Sequence, residues 1–173
     1  MNESDLEWRR FCCLIGNLNS YVCDFVVRQK VGGAHLNFFI VEQLPTLPPD
    51  TFADKCPWSK RETLEHWISE RVLKLSCTAE DMIPLAKACD FKGSRGDGVH
   101  IWKDAERTEI RAELDAAFFH LYGIQRADAE HVLSTFSNTG LVPAAERGPQ
   151  QLPWRPGGTG EMVLEAFDRL HRP

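Results

Sequence analysis

The sequence predicts a mainly α-helical protein, a bundle-like helical tail with one short β segment near residues 36–41. Apolar residues recur at three- and four-residue spacing in successive stretches, the period of a helix with one buried face. Cap residues and glycines stand at the ends of those stretches. The chain has 173 residues, of which 43% are apolar and 26% charged, enough for a hydrophobic core in one or two small domains.

The first stretch, residues 6–29, carries Phe11, Leu14, Ile15, Leu18, Val22, Phe25 and Val26 at helical period. Gly16 and the pair Asn19-Ser20 weaken it, so it predicts either one kinked helix or two short ones. Gly32-Gly33 then ends it, because glycine accepts the left-handed cap conformation without steric strain. Residues 36–41 fit a short buried strand. Gln43-Leu44-Pro45-Thr46-Leu47-Pro48-Pro49 cannot continue a helix and leaves as extended chain. A boundary is expected here, with segments 1–50 and 51–173 as the two domains. Leu64, Trp67, Ile68, Val72 and Leu75 predict the next helix. Thr78 with Asp81 resembles a capping box for a helix over residues 79–88, in which Pro84 is tolerated only in the first turn. Gly93-Ser94-Arg95-Gly96-Asp97-Gly98 is a loop. Asp104 caps a helix with the face Ile110, Leu114, Phe118 and Leu121, stopped by Gly123. Ala129, Val132, Leu133 and Phe136 give a short helix, residues 137–159 an exposed connection, and Met162, Val163, Ala166, Phe167 and Leu170 a last helix.

The formal net charge of −5 argues against a nucleic-acid coat protein but permits a local contact. No run is long enough to cross a bilayer, and Asn2-Glu3-Ser4-Asp5 does not open a secretory signal. The six cysteines show no C-x-x-C spacing and read as core residues of a cytoplasmic protein. The six histidines are scattered, with no H-E-x-x-H pair, so no metal site is expected. Glu109, Glu113 and Asp115, among Arg107 and Arg111, read as a solvated charged helix face. The Gly93–Gly98 loop follows no predicted strand and lacks the ending of a phosphate-binding loop. Gly157-Gly158-Thr159-Gly160 likewise follows no strand. No catalytic residue is assigned.

Residues 28–37 are the exception. From Phe25 to Val41 there is no acidic side chain, in a chain that is acidic as a whole. Arg28 and Lys30 suit phosphate contacts. Gly32 and Gly33 allow close approach of the backbone to a ligand. His35 and Asn37 can hydrogen-bond a base edge, and asparagine fits adenine. The same residues also suit a plain helix C-terminus, with basic side chains on the macrodipole and a glycine cap. On this chemistry both readings stand.

A longer pattern adds to it. Leu18-Asn19-Ser20-Tyr21-Val22-Cys23-Asp24-Phe25-Val26-Val27-Arg28-Gln29-Lys30-Val31-Gly32-Gly33, then His35-Leu36-Asn37-Phe38-Phe39 and Gln43-Leu44-Pro45, resembles the end of the target-recognition region of large bacterial adenine-specific DNA methyltransferases of the type IIG restriction–modification and phage-exclusion kind. Residues 71–81 are similar to the helix pair that follows. Arg111-Ala112-Glu113-Leu114-Asp115-Ala116-Ala117-Phe118-Phe119-His120-Leu121-Tyr122-Gly123 is similar to the most distinctive helix of the C-terminal tail. Val132-Leu133-Ser134-Thr135-Phe136 and Leu164-Glu165-Ala166-Phe167-Asp168 complete the order.

Such enzymes hold S-adenosylmethionine on a glycine turn after a strand, and position adenine with an Asn/Asp-Pro-Pro-Tyr/Phe motif. This chain has neither, since its one Pro-Pro pair, Pro48-Pro49, lies between Leu47 and Asp50. The resemblance therefore implies a non-catalytic fragment or split subunit, with no cofactor of its own. Its expected partners are double-stranded DNA and a methyltransferase catalytic domain or subunit. Arg28, Lys30, Gly32, Gly33, His35 and Asn37 are the expected DNA-proximal residues. The alternative expectation is a stand-alone helical protein-interaction module with no DNA role.

Overall fold

The computed structural model describes residues 3–31, 35–140 and 158–170, with side chains from Glu7 onward in the first of these spans. The described residues are mainly helical and form no sheet, so the helical fold class holds. The expected β segment near residues 36–41 is replaced by a single helical turn, Phe38–Val41. Its apolar residues have strand propensity, but Asn37 closes the turn locally: its side-chain oxygen accepts the Ile40 N–H at 3.1 Å.

The helices are α1 (Glu3–Leu18), α2 (Tyr21–Lys30), α3 (Phe38–Val41), α4 (Leu64–Ser76), α5 (Ile83–Ala88), α6 (Asp104–Leu121), α7 (Arg126–Ser134) and α8 (Gly160–Leu170). They fall into two compact units. One comprises residues 1–19 and 45–110, the other residues 20–44 and 111–173, so each draws on both sides of residue 50. Helix α6 belongs to the first unit up to Ile110 and to the second from Arg111.

In the first unit α1 packs on α4. Cys12 and Cys13 face Leu64, Trp67, Ile68, Val72 and Leu73 in a core from which water is excluded. Thr63 caps α4 by accepting the His66 N–H at 3.2 Å. Asn17, buried near the end of α1, accepts the Leu47 N–H at 3.0 Å and fixes the extended segment that leads into the Pro49–Ala53 turn. Pro84 occupies the first turn of α5, after a short 3₁₀ turn over Glu80–Met82, where its missing N–H is no loss. The loop that follows needs glycine at Gly93. Its φ is +62°, and a Cβ there would lie 2.3 Å from the Val99 carbonyl oxygen.

Arg9 on α1 is the polar tie of this core. Its buried guanidinium donates to Ser69 Oγ at 2.9 Å and to the carbonyl oxygen of Cys89, joining α1 to α4 and to the end of α5. Neighbouring Arg10 pairs with the buried Glu65 at 3.5 Å. Burial pushes the Glu65 carboxyl up and both arginines pull it back.

In the second unit α2 packs on α7, and α7 on α8. Val22, Phe118, Phe119, Val132, Leu133, Phe136, Val163 and Phe167 are buried there. Gly123, in the left-handed conformation at φ +68°, ends α6, with Ile124 N–H returning to the Phe119 carbonyl oxygen at 3.0 Å. Gly158 runs against the Ser137–Thr139 turn so closely that a Cβ would lie 2.0 Å from the Thr139 carbonyl oxygen.

The Arg9 tie has a measurable weight. Arg9→Met keeps most of the aliphatic volume but removes the donors that reach the Cys89 carbonyl and the Ser69 hydroxyl. In urea denaturation it is expected to lose about 2–4 kcal/mol. Lys92→Met, which breaks an exposed pair with Asp90, is expected to change stability by no more than about 0.5 kcal/mol. Equal effects from the two variants would remove Arg9 from its structural role.

Candidate nucleic-acid interface

Helix α2 starts afresh after α1 because Ser20 caps it, accepting the Cys23 N–H at 3.3 Å. The Tyr21 N–H, another donor with no partner inside the helix, goes to Asp115 Oδ1 of α6 at 2.8 Å. Asp115 is therefore turned inward, which corrects its expected place on a solvated face. The physical reason is that α6 is buried on several sides, with Ala112, Leu114, Ala116, Ala117, Phe118 and Phe119 all enclosed. Burial pushes the Asp115 carboxyl up to about 7, against the Tyr21 N–H and Arg111, which both pull it down.

From that anchored end α2 leads to Arg28 and Lys30 in its last turn. Arg28 is exposed, and Asp24 one turn earlier takes both Nε and Nη2, at 3.0 and 3.1 Å. Those bonds raise its guanidinium above the ordinary value. The same guanidinium lies over the Phe136 ring, 4.4 Å from its centroid, and Phe25 meets His131 edge-on. Arg28 is thus held in a fixed orientation by a carboxylate and a ring. Lys30 is exposed, with no ion pair among the described residues. Val31, in extended conformation, closes the helix by donating to the Val27 carbonyl oxygen at 3.0 Å. Gly32 and Gly33 lie outside the described residues.

His35, Leu36 and Asn37 follow, all exposed, and lead into α3. Asn37 has its side-chain oxygen committed to the cap of α3, which leaves that oxygen one further lone pair and the amide nitrogen for a ligand. Sequence reasoning singled out the polar residues of this run and passed over the apolar ones. Phe38 is 76% exposed and Phe39 70%, with Leu36 and Val41 also outward. The adjacent pair of phenylalanines next to a cap asparagine was the available signal. So Arg28, Lys30, His35 and Asn37 fall in one compact unit.

Elsewhere the titratable groups serve the fold. All six cysteines are buried free thiols. Burial raises the Cys13 thiol, and Cys77 reaches about 11, so neither is a ready thiolate. His120 stacks on Phe167 at 3.9 Å and its Nε2 donates to the Phe167 carbonyl oxygen, and His100 pairs with Glu106 at 3.1 Å. Among the described residues no three metal-ligating side chains come together. No helix among them is long and apolar enough to cross a membrane. Compared with protein-family models, curated proteins and solved structures, the chain matches none.

Asp115 gives the site a pH signature. The folded chain keeps its proton up to about pH 7, whereas the unfolded chain releases it near 3.8. Folding therefore takes up a proton between those values, and this group's contribution to stability falls as pH rises through that window and levels off above it. An asparagine in its place would keep an oxygen for the Tyr21 N–H without the charge. The stability of Asp115→Asn relative to the wild type is expected to climb from pH 4 to pH 7 in chemical denaturation. A difference independent of pH would show that Asp115 titrates normally.

Proposed function

We propose that this chain is the non-catalytic, C-terminal DNA-recognition and structural portion of an adenine-specific DNA methyltransferase of the restriction–modification or phage-exclusion kind, acting in the cytoplasm. The observation that carries the reading is the order of motifs: the asparagine-serine helix start, the Arg-Gln-Lys-x-Gly-Gly run, His-Leu-Asn-Phe-Phe, Gln-Leu-Pro and the Ala-Glu-Leu-Asp-Ala-Ala-Phe-Phe helix, in sequence along one chain. The local chemistry supports it. Arg28 is oriented with one nitrogen, Nη1, not engaged by Asp24, and Lys30 is exposed, in a run from Phe25 to Val41 that holds no acidic residue, so that Asp24 is the carboxylate a phosphate would compete with at Arg28. Methyl transfer, S-adenosylmethionine and adenine positioning would belong to a partner domain or subunit. The helices after residue 60 would brace the recognition segment or meet that partner.

A second reading, a helical protein-interaction module without a DNA role, is favoured by one observation. Trp8, Phe11, Leu14 and Leu18 of α1 are exposed, a longer run of apolar side chains than a lone surface helix ordinarily shows.

The first reading is tested on the full chain with mixed-sequence duplex DNA, by fluorescence anisotropy over a range of salt. Arg28→Ala with Lys30→Ala is expected to weaken binding and to reduce the slope of log affinity against log salt by about two, the value for two lost phosphate contacts. Unchanged affinity and slope would overturn the assignment of these residues. No binding by the wild-type chain, with or without a methyltransferase catalytic subunit, would leave the interaction module.

A further inference from the structure

We propose that Cys12 and Cys89 are a redox-modifiable pair, able to close a disulfide that staples α1 to the end of α5. The proposal stands apart from the DNA reading and rests on the packing of one unit.

Cys12, Cys13, Cys56, Cys77 and Cys89 lie in the unit of residues 1–19 and 45–110, and Cys23 lies in the other. Cys12, Cys13, Cys77 and Cys89 are wholly enclosed. Their thiols are committed differently. Cys13 Sγ donates to the Glu65 carbonyl oxygen at 3.7 Å, and Cys77 Sγ to the Met82 carbonyl oxygen at 3.9 Å. Cys56 takes the N–H groups of Trp58 and Ser59 within its own turn. Cys12 and Cys89 hydrogen-bond each other. Neighbours along a helix point about 100° apart, so the adjacent Cys12 and Cys13 reach different partners.

The backbone is held on both sides of the pair. Helix α1 packs on α5. Arg9, three residues before Cys12 and on the same helix face, donates to the Cys89 carbonyl oxygen. The Cys89 N–H returns to the Leu85 and Ala86 carbonyl oxygens at 3.1 and 3.2 Å. A disulfide needs two sulfurs that face each other and close to about 2.05 Å. Here the mutual orientation exists before any bond forms. The closed core also restrains the reaction. The hydrogen bond with Cys89 and then burial push the Cys12 thiol up, so it keeps its proton. Exchange therefore waits for a local opening at α1 or the end of α5, and is slow, while the packing favours its product.

The oxidant is a low-molecular-weight disulfide such as oxidised glutathione. The thiolate of one cysteine attacks a sulfur of the oxidant, breaks its S–S bond and releases one thiolate. The thiolate of the other cysteine then attacks the mixed disulfide, forms the Cys12–Cys89 bond and releases the second. The two cysteines lose two electrons and two protons, and the two released thiols take them up. The new bond joins the same two elements that Arg9 ties, so the oxidised unit would open less readily.

The test equilibrates the full wild-type chain in glutathione buffers of graded ratio, with and without denaturing urea. Acid quenching, alkylation, digestion and mass spectrometry then count each linked pair, with fragmentation to separate Cys12 from Cys13. Cys12–Cys89 is expected to dominate in the folded chain. Its ratio of disulfide to dithiol should exceed that in urea by about a hundredfold or more, the advantage of a pair held in place over one joined by flexible chain. The melting temperature of the oxidised chain should rise, and reduction should return it. Comparable yields of pairs with Cys13 or Cys77, a ratio no higher than in urea, or no disulfide within the chain at any buffer ratio would overturn the pair. A melting temperature that falls on oxidation would show that the bond opposes the native packing and would overturn the staple.

Discussion

The placing of α2 depends on the hydrogen bonds of its first turn. A helix start leaves its first N–H groups unpartnered and carries a partial positive charge. Here a hydroxyl from Ser20 and a carboxyl from Asp115 each take one of those donors. The second bond is the more consequential, because Asp115 belongs to α6, nearly a hundred residues further on, and so fixes α2 to the core of its own unit. The same carboxyl resists ionisation because it is enclosed. A buried acid at a helix start combines a favourable dipole with an unfavourable desolvation. Desolvation raises this carboxyl by more than the Tyr21 N–H and Arg111 lower it.

From that anchor the geometry of the basic end follows. Arg28 sits two turns along α2, over Phe136 and paired with Asp24. An exposed pair one turn apart contributes only a few tenths of a kcal/mol, so its main effect is orientation. Any anion approaching Arg28 would have to share its guanidinium with Asp24. Lys30 carries its charge with no such partner among the described residues. In a chain of net charge −5 this end can attract a polyanion only at short range, since screening hides charges beyond about 10 Å.

Much of this could be read in the sequence. The break at Asn19-Ser20, the stop at Gly123 and the first-turn place of Pro84 are local rules of backbone chemistry, and they hold, whereas the expected Thr78–Asp81 capping box does not form: the 3₁₀ turn begins after Ala79 with no side-chain cap. Two features depended on tertiary or competing local effects. Phe38-Phe39-Ile40-Val41 has the composition of a strand, and a strand needs a neighbour to bond. Without one, a capped turn satisfies the backbone at once. Asp115 looked like one more charge on a charged helix. The alanines and phenylalanines around it, buried on several sides of α6 between residues 112 and 119, were the sign that little solvated face was left for it.

The exposed apolar side chains differ in kind between the two units, and the difference bears on how each surface would be used. On α1, Phe11, Leu14 and Leu18 recur at three and four residues, so they make a stripe along a helix with room for a complementary stripe. Such a surface gains by area, through many modest contacts, and suits a protein neighbour. On α3 the exposed groups crowd one turn, and no extended face exists. A peg gains by depth: its rings lose water only where a partner opens to admit them.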